Sequence, residues 1–111
     1  MTDDEWFVFR PEKAQAFGRP TPQGFLVRKG STAMVRGSPA VKRDRQLRDR
    51  LVRDGVLVLD GDKDLYVFSR DYEFTSASPA AGVVKDGNSS GPQQWIHTRS
   101  RKSLKDTLGA T

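Results

Sequence analysis
The sequence predicts an α+β fold: a small, mostly antiparallel sheet built from hairpins, with two or three helices packed on it. Three observations carry this. Gly55-Val-Leu-Val-Leu59 and Leu65-Tyr-Val-Phe68 are β-rich apolar runs on either side of a polar turn, Asp60-Gly-Asp-Lys-Asp64, which is the pattern of a β-hairpin. Ahead of it, Ala40, Leu47 and Leu51 fall on one stripe at helical spacing, with Val41 and Val52 on its flank. Behind it, Ser76–Lys85 is a run of small residues that reads as a second helix. Both faces of the two hairpin strands are apolar. Both are therefore expected to be covered, which puts this hairpin at the centre of the core.

The remaining elements follow in order. Trp6-Phe-Val-Phe9 reads as an edge strand, and Pro11, Gly18, Pro20 and Pro22 then break any long element. Phe25–Val27 and Ala33–Val35 read as two strands of a second hairpin around Gly30. Arg28–Thr32 is taken as an ordinary tight turn. The alternative is a phosphate cradle made of the backbone amides near Gly30, the Ser31 and Thr32 hydroxyls and Lys29. Ser38 and Pro39 suit the N-cap and first position of a helix that runs to Asp54 and stops at Gly55. In Asp71-Tyr-Glu-Phe74, Tyr72 and Phe74 share one side of an extended segment. The small-residue helix is capped by Ser76, or by Ser78 with Pro79 first in the helix. Asp86–Pro92 is a loop by composition, Gln94–Thr98 a last strand, Arg99–Lys102 a basic turn and Ser103–Leu108 a final helical turn.

The 111 residues suffice for one domain, read here as residues 24–108, with an N-terminal extension over 1–23 and a frayed tail at 109–111. Hydrophobic residues make up 35%, against a globular average of about 45–50% that includes glycine, so part of the chain is expected to be loose. Cysteine is absent, which excludes a disulfide framework and a thiolate metal site. No apolar run approaches the roughly 20 residues of a membrane span. The first five residues are acidic rather than basic and apolar, so a soluble, cytoplasmic protein is expected.

The net charge of +5 is unevenly placed. Residues 25–54 hold nine Lys/Arg against three Asp/Glu, more than the whole excess. Such clustering is the footprint of a polyanion binder, whereas a solvated helix face laced with ion pairs is the plainer reading. Asp44–Arg48, Arg45–Asp49, Asp49–Arg53 and Arg50–Asp54 are each four apart, and pairs of this kind add only about 0.2–0.5 kcal/mol apiece. Helix support alone does not require so many basic residues.

A family pattern is also present. Gly24-Phe-Leu-Val-Arg-Lys-Gly-Ser-Thr-Ala33 resembles the opening of DUF4357, a bacterial domain of unknown function often found C-terminal to GIY-YIG nuclease domains and in restriction-associated proteins. Leu51-Val-Arg-Asp-Gly-Val-Leu57 is similar to its middle, Asp71–Phe74 to its Asp-Tyr-Glu-Phe signature, and Ser76–Val84 to the small-residue helix that follows. Ser90-Gly91-Pro92 stands where the family has Asn-Gly-Trp, and Ala77 where it has a proline. The resemblance implies a module of nucleic-acid metabolism that works beside a separate nuclease or restriction protein.

Catalytic patterns are poorly matched. His97 is the sole histidine, no Gly-x-Ser-x-Gly elbow occurs, and His97 is read as a strand residue with a satisfied ring. Asp60-Gly-Asp-Lys-Asp64 has the opening spacing of a calcium loop, but Leu65 and Asp71 stand where that loop needs Gly and Glu, so these are turn residues. The reading is a non-catalytic module without metal or cofactor that binds nucleic acid, DNA in the first instance. Lys29, Lys42, Arg43, Arg45, Arg48, Arg50, Arg53, Arg99, Arg101 and Lys102 supply phosphate contacts. The competing reading is a protein-interaction adaptor that uses Trp6, Phe7, Phe9 and Trp95.

Overall fold
The computed structural model describes residues 6–35, 45–87 and 91–108. In chain order the elements are β1 (Phe7–Phe9), β2 (Ala16–Thr21), β3 (Gly24–Val27), β4 (Thr32–Met34), α1 (Arg45–Arg53), β5 (Leu57–Asp60), β6 (Leu65–Phe68), β7 (Tyr72–Phe74), α2 (Ala77–Lys85), α3 (Gly91–Gln94), β8 (Ile96–His97) and α4 (Leu104–Leu108). The fold is α+β, as the sequence predicts. It has two antiparallel sheets, one of five strands in the order β7-β3-β2-β1-β8 and one of three in the order β4-β6-β5.

The predicted central hairpin is present as β5 and β6, in the register Leu57↔Phe68 to Asp60↔Leu65. It is not the centre of the core. β5 is the edge of the smaller sheet, and although Leu57 and Phe68 are buried, Val58 and Leu59 are 50% and 56% exposed. The register explains the difference. Leu57, Phe68 and Ala33 lie on the face that joins the main core, and Leu59 sits at its far end. The reverse face is covered only near Leu65, where Met34 and Ala14 form a small separate cluster, and Val58 lies outside it.

The core is organised around α2 instead. Ala80, Ala81, Val83 and Val84 are fully buried, because this helix contacts β3 and β7 of the large sheet, β4 of the small one, and α1 and α3. Its small side chains permit that close approach. Ser76 is the N-cap, so of the two serines considered the first holds the position, although its side chain makes no capping bond. Trp95 is fully buried against Phe9 and Phe25, and its indole N–H donates to the Ala77 carbonyl at 3.1 Å. The turn that brings Trp95 there requires Gly91, since a Cβ at that position would stand 2.4 Å from the Ala77–Ser78 backbone.

Three other expectations are corrected. Residues 6–9, read as an edge strand, supply β1, which like β2 is an interior strand of the large sheet. Pro20 is tolerated because β1 pairs only with Ala16–Gly18, so at Pro20 the strand has a neighbour on the β3 side alone. β3 and β4 do not pair with each other: β3 lies between β2 and β7, and β4 pairs with β6, so the Gly30 turn passes the chain from one sheet to the other. The segment read as a loop before the last strand includes the short helix α3. The predicted start of the basic helix at Ser38–Pro39 lies outside the described residues.

Candidate nucleic-acid interface
The basic helix α1 ends as the sequence requires. Gly55 takes φ +79°, its N–H donates to the Val52 carbonyl at 3.2 Å, and the Val56 N–H donates to the Leu51 carbonyl at 2.9 Å. This is the six-to-one closure of a Schellman motif, sealed by the buried side chains of Leu51 and Val56. Leu51 faces inward with Leu47 and Val52 at its flanks. Arg45, Arg50 and Arg53 are exposed. None of the i, i+4 pairs Arg45–Asp49, Asp49–Arg53 and Arg50–Asp54 closes, and among the described residues the ion pair on this surface is Arg53–Asp54 at 3.8 Å. Lys42 and Arg43 lie outside the described residues.

Arg48 does not join this surface. It is 6% exposed, and its guanidinium is fully engaged inside the protein. Nη1 donates to the Val83 carbonyl at 2.7 Å, Nη2 donates to the carbonyls of Met34 and Val35, and Nε lies 3.4 Å from the Asp86 carboxylate. Tyr66 lies beside it, with the guanidinium carbon 5.2 Å from the ring centroid. Burial pushes Arg48 below the usual arginine range, and the Asp86 charge pushes back. Asp86 is itself 5% exposed and left-handed at φ 59°, at the C-cap of α2 where glycine is the usual residue. Its carboxylate explains the choice, because a glycine there could not face Arg48. The spacing held a clue: position 48 precedes Leu51 by three and Val52 by four, which turns it inward.

The other basic residues are dispersed. Arg99, Arg101 and Lys102 are exposed on the turn after β8, at one edge of the large sheet, while α1 packs on β5 and α2. The His97 ring organises that turn, since its Nδ1 accepts the Arg99 and Ser100 N–H groups at 3.3 and 3.0 Å. Lys29 is exposed on the Gly30 turn. The phosphate cradle considered there does not form. The Lys29 N–H donates to Asp71 Oδ1, that of Gly30 to the Phe68 carbonyl, that of Ser31 to Arg28 and that of Thr32 to Gln15. The Ser31 hydroxyl accepts the Phe17 N–H at 2.9 Å, and the Thr32 hydroxyl that of Gln15 at 2.8 Å.

A further basic group was not singled out in the sequence. On the large sheet, Phe7, Phe9, Phe25, Val27 and Phe74 point to the helices and are buried. Trp6, Phe17, Arg19, Leu26 and Arg28 alternate with them and point to the other face, where they are half-buried or exposed. The Arg28 guanidinium lies 4.9 Å from the Trp6 ring and 4.8 Å from Phe17, and that of Arg19 lies 5.3 Å from Trp6. The signal was the i, i+2 placement in Phe17-Gly-Arg19 and Leu26-Val-Arg28, legible only once both segments are known to be neighbouring strands. Of the aromatics proposed for an adaptor surface, Phe7, Phe9 and Trp95 are therefore core residues, and Trp6 is half-buried beneath two arginines.

Fold and surface together define a small two-sheet α+β domain with dispersed basic residues, and among the described residues no group of three or more His, Cys, Asp or Glu could hold a metal ion. The sequence model of a family described as a domain of unknown function, DUF4357, matches residues 7–108, and the chain belongs to that family. The match includes β1 and β2, in keeping with their place inside the sheet. Comparisons with curated proteins and with solved structures returned no match.

Proposed function
We propose that this domain is a non-catalytic nucleic-acid-binding module that holds phosphates through the outer face of α1. The observation that supports it is the presentation of Arg45, Arg50 and Arg53 to solvent with no closed i, i+4 ion pair to occupy them. The inward Arg48 fixes the helix roll that keeps those three outward. Phosphate contacts of this kind give affinity and position without reading bases. The family resemblance supports a setting in nucleic-acid metabolism, beside a nuclease or restriction protein.

A titration of a short DNA duplex by fluorescence anisotropy tests this at about 50 and 200 mM salt, the range over which phosphate contacts show their cost. Affinity should fall by about 0.9 log units per log of salt for each phosphate neutralised. Arg45→Glu with Arg50→Glu should weaken binding further while the fold survives. Unchanged affinity in that folded variant removes α1 from the interface. A second reading, a protein-docking surface, is supported by the exposed Val58 and Leu59 on the edge strand β5. Capture of a protein partner in a pull-down that ignores salt and is lost in Val58→Lys favours it.

A further inference from the structure
We infer that the open face of the five-stranded sheet is a binding platform for single-stranded nucleic acid, with Trp6, Phe17 and Arg28 as its centre. The inference rests on the nucleic-acid reading above and narrows it to a second surface and a strand form.

The register assembles the platform from segments far apart in sequence. Extending the β1–β2 pairing by one residue from Phe7↔Gly18 sets Trp6 opposite Arg19, and extending β2–β3 from Gly18↔Val27 sets Phe17 opposite Arg28. Two backbone bonds carry the same register outward: the Arg28 N–H donates to the Phe17 carbonyl at 2.8 Å, and the Thr98 N–H donates to the Trp6 carbonyl at 3.1 Å. One row across the open face is therefore Thr98, Trp6, Arg19, Leu26 and Glu73. The next is Ile96, Val8, Phe17, Arg28 and Asp71. α2 packs on the opposite face, against Phe25, Val27 and Phe74.

Three features of these rows suit a single strand. Flat groups, two aromatic rings and the guanidinium groups held 4.8–5.3 Å over them, lie together on this face, and unpaired bases stack on rings and guanidinium planes alike, whereas the bases of a duplex are already stacked on one another. Arg28 has no carboxylate partner among the described residues, so its outer edge is left for a phosphate while its face is held by Trp6 and Phe17. The charge is also directional. A hollow lined by Val8, Ile96, Arg10 and Arg101 continues the face toward β8, while Asp71 and Glu73 bound it at β7. A polyanion is thus guided across β3, β2, β1 and β8 and kept off the β7 edge. A second copy of the chain would bring arginine against arginine, and an acidic peptide would use the charges but leave the rings idle.

The test is titration of the full chain with a single strand of about 12 thymidines, read by tryptophan fluorescence and by anisotropy. Trp95 is fully buried, so quenching on binding reports Trp6. Saturable quenching is expected. Arg28→Ala, an exposed position, should weaken single-strand affinity about tenfold or more without loss of the circular-dichroism spectrum. Trp6→Phe should keep the binding seen by anisotropy and lose the quenching. Single-strand binding without quenching and indifferent to Arg28→Ala overturns the platform while the phosphate-binding reading stands, and so does binding of duplex alone. Equal displacement by poly-glutamate of the same charge also overturns it, in favour of a generic anion surface. Binding of neither strand form overturns both readings.

Discussion
Arg48 and Asp86 show how much a single position can depend on its surroundings. Both charges are removed from water, and the cost is offset because the guanidinium finds three carbonyls and one carboxylate. Removing one partner of such a pair strands the other, so Asp86→Ala should lower stability by about 3–5 kcal/mol, measured by urea unfolding. Asp86→Gly is the sharper test. It relieves the left-handed backbone, worth about 1–2 kcal/mol, yet it should still be destabilising on balance. A gain in stability would show that the backbone, not the pair, dominates. Arg48→Lys keeps the charge but cannot reach the same set of acceptors. At about 1–3 kcal/mol for each buried group left unpaired, it should resemble Arg48→Ala more than wild type. Gly91→Ala meets the Ala77 backbone rather than a movable side chain, and overpacking of this kind costs about 1–3 kcal/mol.

At the scale of elements, α1 divides into a face that builds the fold and a face offered to solvent. Substitutions on the outer face should therefore separate function from stability. Arg45→Glu with Arg50→Glu should change unfolding free energy by about 0.5 kcal/mol or less per site, while reducing duplex affinity at low salt. A large loss of stability in this variant would mean that the outer arginines serve the fold. The same helix shows what the sequence made legible and what it did not. The Leu47, Leu51 and Val52 part of its apolar stripe, its glycine stop and the β5–β6 hairpin are local patterns, set by residues within one or two turns of each other. These are found where the pattern put them, while Ala40 and Val41 lie outside the described residues. The partners of β3 and β4 depend on which distant strand fills each edge, and adjacency in sequence pointed to the wrong one. The open-face arginines were hidden for the same reason. Arg19 and Arg28 are nine positions apart in sequence and neighbours only through the sheet.

For the whole molecule, the two sheets differ in how they end. The large sheet closes at β8 with the His97 N–H donating to the Lys102 carbonyl at 2.8 Å, which leaves that edge covered by its own chain. The small sheet ends at β5, with Val58 and Leu59 in solvent and no further strand beside it among the described residues. Val58→Lys, at an exposed edge position, should change unfolding free energy by about 0.5 kcal/mol or less, measured by urea unfolding. A large stability loss would place Val58 in the core after all. The clasp of Arg48 on Val35 has a different reach. It makes the residue that leaves the second sheet and the helix that follows it neighbours in space, whatever the length of chain between them. In relatives of this domain the arginine, the aspartate and the spacing from Leu51 to Gly55 should therefore hold constant together, since the first two are the sides of one contact and the third closes the helix that carries the arginine.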